Sequence, residues 1–278
     1  MQRILSTYRY VNQPLGAALL AEIAQAGFSA VEVFCASQHF SYRDPQGVRE
    51  FGDALREYSL KLHSVHSPTD RDRSPGRESG VVISISDPER IRRLDAVDEI
   101  KRVLDVSEQI PFQYLIQHIG HGRQAAEQRK LDAAFTSLES LSMFAKARGV
   151  TIALENTPDE LGSPSSLQHF ITDTHLHDLK LCFDVGHAHI EDGVQASFDA
   201  MRERVVTTHL HDNQGDKDEH LLPFDGTIDW DALLAAFAGA PQPLPLVLEI
   251  KAQAGTAPLL GQIRAAADKL EEKLEAQK

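Results

Sequence analysis

Two cysteines, one tryptophan and three methionines are all this 278-residue chain holds of those residues. Cys35 and Cys182 are too few for a disulfide framework, so the expectation is an intracellular protein with reduced thiols. No apolar run approaches the ~20 residues needed to span a bilayer. The amino-terminal MQRILSTYRYVNQPLG lacks the charged-then-apolar pattern and small-residue cleavage site of a signal peptide, which makes the expected location cytoplasmic. Basic residues are scarce beside acidic ones, 28 against 41, for a net charge of −13. That balance disfavours a nucleic-acid or anionic-membrane partner held by long-range attraction. No composition break or low-complexity linker divides the chain, so residues 1–278 read as one domain.

What is present is an alternation of strand-like and helix-like patterns from end to end. Short apolar runs fall at 3–8, 29–34, 59–66, 114–118, 150–156, 180–187, 205–213 and 245–251. Helical patterns lie between them, over 14–25, 45–58, 88–109, 125–148, 165–174, around 198–201, over 230–237 and over 258–276; Gly27 and Gly149 end two of them and Asp87 is positioned to cap a third. Eight strands separated by helices predict an α/β fold, a (β/α)8 TIM barrel with its site at the C-terminal mouth of the strands. Residues 67–86 are too long and polar for an ordinary turn and predict a lid or substrate loop.

Nine residues able to bind metal cluster at these strand ends: His66, His118, Glu155, Asp184, His187, His209 and Glu249 at or just beyond a strand, Asp218 and His220 in a loop. In a closed barrel their side chains converge on one mouth. Glu155, Asp184, His209 and Glu249 together offer a single ion three carboxylates and one imidazole. That mixed set suits manganese, zinc or cobalt better than magnesium or calcium. His66 and His118 beside Glu155, and His187 with Asp218 and His220, could hold further ions. His211 shares strand parity with His209 and reads as a neighbour of the ligands, whereas His63 has the opposite parity to His66 and should face the helices. His121 is a candidate substrate contact; His39, His169, His175, His177 and His189 read as surface. Lys251, Gly255 and Thr256, or Arg71, Arg73 and Arg77, are candidate anion contacts.

The segments IALENTP (152–158), FDVGHAH (183–189), HLHDN (209–213), DEHLLPFDGTIDW (218–230) and LVLEI (246–250) resemble the xylose-isomerase-like TIM-barrel superfamily over essentially the whole chain. That superfamily contains sugar isomerases and epimerases and the zinc-dependent apurinic-site endonucleases of family 2. In its sugar-acting members, the resemblance implies, residues matching Glu155, Asp184, His209 and Glu249 bind one divalent metal, and the two glutamates act as acid and base on a metal-stabilised enediolate. By their place at the mouth, His187, His66, His118 and His121 are the candidate substrate contacts of this chain. In the endonuclease branch all nine matching positions bind up to three zinc ions. The DEHLLPFDGTIDW segment resembles the sugar phosphate isomerase/epimerase side; the loop CASQHFSYRDP resembles no DNA-penetrating loop, and no dense Lys/Arg stripe is present. The expectation is therefore a metal-dependent isomerase or epimerase of a sugar or sugar phosphate, with phosphodiester hydrolysis as the alternative, and a sugar dehydratase or a non-catalytic barrel as a third class. A homo-oligomer is what the sugar-acting relatives imply.

Overall fold

The computed structural model describes residues 3–71, 81–122, 124–251 and 259–277. Eight parallel strands form one sheet in the order β10 (Leu246–Leu248), β1 (Arg3–Ser6), β2 (Ala30–Phe34), β3 (Lys61–His66), β6 (Tyr114–Gln117), β7 (Thr151–Glu155), β8 (Lys180–Asp184) and β9 (Val205–His209). A parallel bridge between Leu210 and Leu248 joins the two edge strands, so the sheet closes into the expected barrel. Arg3, at the start of β1, reaches Asp268 at 2.7 Å and Glu271 at 2.6 Å on the last helix, α9 (Leu260–Glu275), and ties the two ends of the chain across the seam.

Around the barrel run α1 (Ala17–Gln25), α2 (Pro45–Glu57), α3 (Arg90–Asp105), α4 (Gln128–Lys146), α5 (Pro164–Thr174), α7 (Val194–Met201), α8 (Trp230–Ala238) and α9. Outward strand residues such as Val31, Val33, Val65, Leu115, Leu154, Phe183 and Leu248 pack with the inner faces of these helices in the main core. Gly27 and Gly149, the predicted helix stops, adopt φ of +88° and +71°, where a side chain would be strained. Asp87 accepts from the Glu89 amide at 2.8 Å, but α3 begins only at Arg90, so Asp87 braces the turn before the helix rather than its first residue. The sixth apolar run stops short of its predicted end: after Asp184 the chain turns into the short helix α6 (Val185–Ile190). Within the predicted lid, β4 (Asp70–Arg71) pairs antiparallel with β5 (Val81–Val82), and Arg73 and Arg77 lie outside the described residues.

Inside the barrel, Ile4, Ala30 and Val247 form one small apolar cluster and Ile116, Ala153 and Cys182 another. Five of these stand two residues before a mouth residue: Ala30 before Glu32, Val247 before Glu249, Ile116 before His118, Ala153 before Glu155, Cys182 before Asp184. Strand alternation thus stacks a polar layer on an apolar floor. Two strands break alternation. Between β2 and β3 the register jumps so that Val31 pairs with Leu62 but Glu32 with Ser64, leaving His63 as the extra residue. Between β8 and β9, Leu181 pairs with Val205 but Cys182 with Thr207, leaving Val206 extra. These bulges overturn the expectation for His63. It points inward, buried, with Nε2 3.2 Å from the Thr207 hydroxyl on the far side of the barrel.

Candidate metal centre

His66, Glu155, Asp184 and His209 are the last residues of β3, β7, β8 and β9; His118 and Glu249 come one residue after β6 and β10. All but His118 are nearly inaccessible to solvent. His209 Nδ1 lies 3.3 Å from Glu155 Oε2, 3.5 Å from Glu249 Oε2 and 3.7 Å from Asp184 Oδ2. Glu155 Oε2 also faces His66 Nε2 at 3.3 Å and His118 Nε2 at 3.2 Å. On the other flank Asp218 Oδ2 is 2.9 Å from His220 Nε2 and 3.5 Å from His187 Nε2. The fold therefore brings all nine predicted residues together, with Glu155 shared between two groups.

Ring orientation says what these atoms are for. A carbonyl oxygen can only accept, so each imidazole nitrogen facing one carries the proton. His66 Nδ1 donates to Ser67 O at 2.8 Å, His187 Nδ1 to Asn156 O at 2.9 Å, and His220 Nδ1 to Glu249 O at 2.9 Å. With a cation bound each ring would be neutral and would turn an Nε2 lone pair toward it, the geometry of a metal-ligating histidine held from behind. His209 is mounted the other way round. Its Nε2 faces the Glu32 carboxylate at 3.0 and 3.1 Å, leaving Nδ1 for the centre. Three atoms there, Glu155 Oε2, His209 Nδ1 and His118 Nε2, are buried without a hydrogen-bond partner. Buried polar atoms are rarely left so, and one divalent cation would satisfy all three.

Charge agrees with geometry. Burial disfavours an ionised Glu155, yet His209, His118 and His187 hold its carboxyl well below the usual range. Burial likewise disfavours an imidazolium at His187, but Asp184, Asp218 and Glu155 raise its pKa well above the ordinary value. Against burial, hydrogen bonds from His187 and His220 hold Asp218 far down. The pocket stabilises positive charge at its centre, and its mixed oxygen and nitrogen donors could hold a metal ion.

The supporting residues were mostly hidden in the sequence. Glu32 lies inside the apolar run SAVEVF and gives no sign of a role, but it is fully buried, accepts the Ser64 hydroxyl at 2.7 Å and orients His209. Asn156 clamps β7 to β8, accepting from the Asp184 amide at 2.7 Å and donating to the Asp184 carbonyl at 2.9 Å. His211 meets Asp184 at 3.2 Å, as a neighbour of the ligands should. A Cβ on Gly186 would fall inside the His211 ring, so glycine is required there for the ring to reach Asp184. Among the histidines expected at the surface, His39 is instead buried and bonded to Gln13 O at 2.6 Å, and His189 binds Asn213 Oδ1 at 2.8 Å. Glu32→Gln is expected to weaken divalent-metal affinity by ~10–100-fold, because the amide no longer fixes the His209 ring. Competition with a coloured chelator measures this, and an unchanged affinity would remove Glu32 from the account.

Above the clusters opens a cavity of about 340 Å³, lined by Tyr8, Phe34 and Cys35 on one side and by His66, His118, Glu155, His187, Asp218, His220 and Glu249 below. Cys35 lines it as a thiol that burial keeps protonated. His121 is not among the lining residues. Gly255 and Thr256 lie outside the described residues, as does the Arg71 side chain; Lys251 lines the rim.

The sequence model of the family described as xylose isomerase-like TIM barrel matches residues 20–273. The chain belongs to this family. Within and around it the relatives diverge in what they are called. "Uncharacterized protein MJ1311" of Methanocaldococcus jannaschii is 27% identical over 77% of this chain and 72% of its own length. A "Probable endonuclease 4" of Haloquadratum walsbyi is 26% identical over 62% of this chain and 68% of its own length. A solved structure of L-ribulose 3-epimerase superposes with a TM-score of 0.80 at 18% identity, covering 100% of this chain and 96% of that one. The xylose isomerase-like barrel is thus shared with proteins named for two different chemistries.

Proposed function

We propose that this xylose isomerase-like barrel is a divalent-metal-dependent isomerase or epimerase of a sugar or sugar phosphate. The observation that carries the reading is the pair Glu155 and Glu249. They come from well-separated strands, approach His209 Nδ1 to 3.3 and 3.5 Å, and both line one small cavity. At about 340 Å³ that cavity lies at the small end of ligand pockets, the size for a monosaccharide. Likeness to L-ribulose 3-epimerase supports the same class.

Glu155, Asp184, His209 and Glu249 would hold the metal, which when bound supplies Lewis-acid polarisation of a carbonyl and its neighbouring hydroxyl. Of the two glutamates, one takes the proton from the carbon beside the carbonyl and the other returns it, to the opposite face for epimerisation or to the adjacent carbon for isomerisation. His187, locked by Asn156 O, stands at the cavity wall to hold a substrate hydroxyl. The rings of Tyr8 and Phe34, 5.0 Å apart, offer an apolar wall for the C–H face of a sugar. Incubation with ketoses and aldoses in deuterated water is expected to place deuterium at carbon in the recovered sugar. Turnover without solvent deuterium would overturn proton transfer as the chemistry.

A second reading, phosphodiester hydrolysis, is favoured by one observation: His66 and His118 flank Glu155, and His187 and His220 flank Asp218, so donors for two further ions stand ready. Elemental analysis of protein purified without added metal or chelator separates the two readings. About one ion per chain favours the isomerase. Close to three zinc ions, with cleavage of an abasic-site phosphodiester, favours the hydrolase.

A further inference from the structure

We infer that the cavity carries an oxyanion subsite at its rim, made by Arg9 and Lys251, and that the substrate therefore bears a phosphate monoester or carboxylate remote from the reacting carbon. This rests on the proposed sugar chemistry of the metal centre. The two cations reach the rim from adjacent strands. A 3-10 turn, Thr7–Tyr10, follows β1 directly and places Arg9 beside Tyr8, while Lys251 comes two residues after Glu249 at the end of β10. Because β1 pairs with β10, the two cations belong to one side of the mouth. Both line the same cavity as the metal-centre residues.

Among the described residues neither cation has a carboxylate partner. The cavity lining holds four carboxylates, those of Asp70, Glu155, Asp218 and Glu249, yet no ion pair joins Arg9 or Lys251 to any of them within 4.0 Å. Arg9 Nε and Nη1 are moreover buried and have no hydrogen-bond partner, with the guanidinium carbon 5.6 Å from the centre of the Tyr10 ring. A guanidinium is a fork of donors with no acceptor of its own, and it matches phosphate and carboxylate oxygens. Lining the cavity with no carboxylate partner among the described residues, it matches an anion that arrives with the ligand. Asn12 and Gln38, on the same lining, add neutral polar groups beside it. The cavity is therefore polarised: carboxylates and imidazoles below receive a cation, and two cations at the rim receive the opposite charge.

Isothermal titration of the metal-loaded 278-residue chain with inorganic phosphate, and separately with acetate, tests this in wild type, R9Q and K251Q. Saturable binding is expected, weakened at least about tenfold in each variant, the order for losing a charge-assisted contact. Tighter phosphate than acetate assigns a phosphate ester; the reverse assigns a sugar acid. Equal phosphate affinity in wild type, R9Q and K251Q at equal metal content would put the anion on the metal cluster and overturn the subsite, as would no binding at all. If R9Q fails to fold, K251Q and R9K still decide, since R9K keeps the charge and should retain part of the affinity. The titration needs no turnover. Arg9-dependent binding with no sugar exchanged would sink the isomerase and leave the subsite, whereas exchange with Arg9-independent binding would do the opposite.

Discussion

Glu155→Gln should cut turnover by at least ~10²–10⁴-fold, the range for losing a positioned acid or base. The expected loss sits at the upper end because one oxygen, Glu155 Oε2, is 3.2–3.3 Å from the rings of His66, His118 and His209. The amide removes the negative charge those rings share, so metal content should fall along with the rate. Paired measurements of kcat and metal per chain check this. Wild-type turnover in the variant would mean that the whole site has been misassigned, under the isomerase and the hydrolase readings alike.

The second large effect is structural. Asp212 is fully buried and accepts four bonds: from the amides of Asn213 at 2.9 Å, Phe224 at 3.0 Å and Ile228 at 3.2 Å, and from Trp230 Nε1 at 2.7 Å. It also pairs backbone to backbone with Leu221, so this one residue folds the loop that carries Asp218 and His220 back over the barrel. Asp212→Ala strands those donors at about 1–3 kcal/mol each, and even after relaxation a loss of at least about 3 kcal/mol is expected. Urea unfolding reads the loss. Trp230 is the only tryptophan, so its emission should shift to the red in the variant before any global unfolding. An unchanged midpoint with unshifted emission would show that the loop is held by other contacts.

Much of this was legible in the chain. The barrel followed from eight apolar runs separated by helices, and seven of the nine candidate ligands followed from their position at strand ends. The motif HLHDN now divides by function: His209 faces the centre, His211 meets Asp184, Asp212 holds the loop, and Asn213 donates to Gly186 O at 2.9 Å. What escaped was what periodicity cannot carry. Glu32 sits where an inward aliphatic residue would, and only its distance to His209, 177 residues away in the chain, shows its purpose. His63 was misplaced because simple alternation assumes one residue opposite one, and β3 sets two against Glu32. His39 was misplaced because its carbonyl partner, Gln13, lies in a loop that no pattern announces.

The bulges at His63 and Val206 leave the mouth tolerant of a change that would ruin a regular strand. Excising His63 or Val206 would restore even alternation while keeping Phe34 opposite His66 and Asp184 opposite His209, so both ligands would still face the centre. The same loss at Ala153 in β7, which pairs without a bulge on both sides, would turn the strand's end by half a pleat and send Glu155 outward among the helices. In a deletion scan, single-codon losses at the two bulges should therefore spare metal uptake, and one at Ala153 should abolish it.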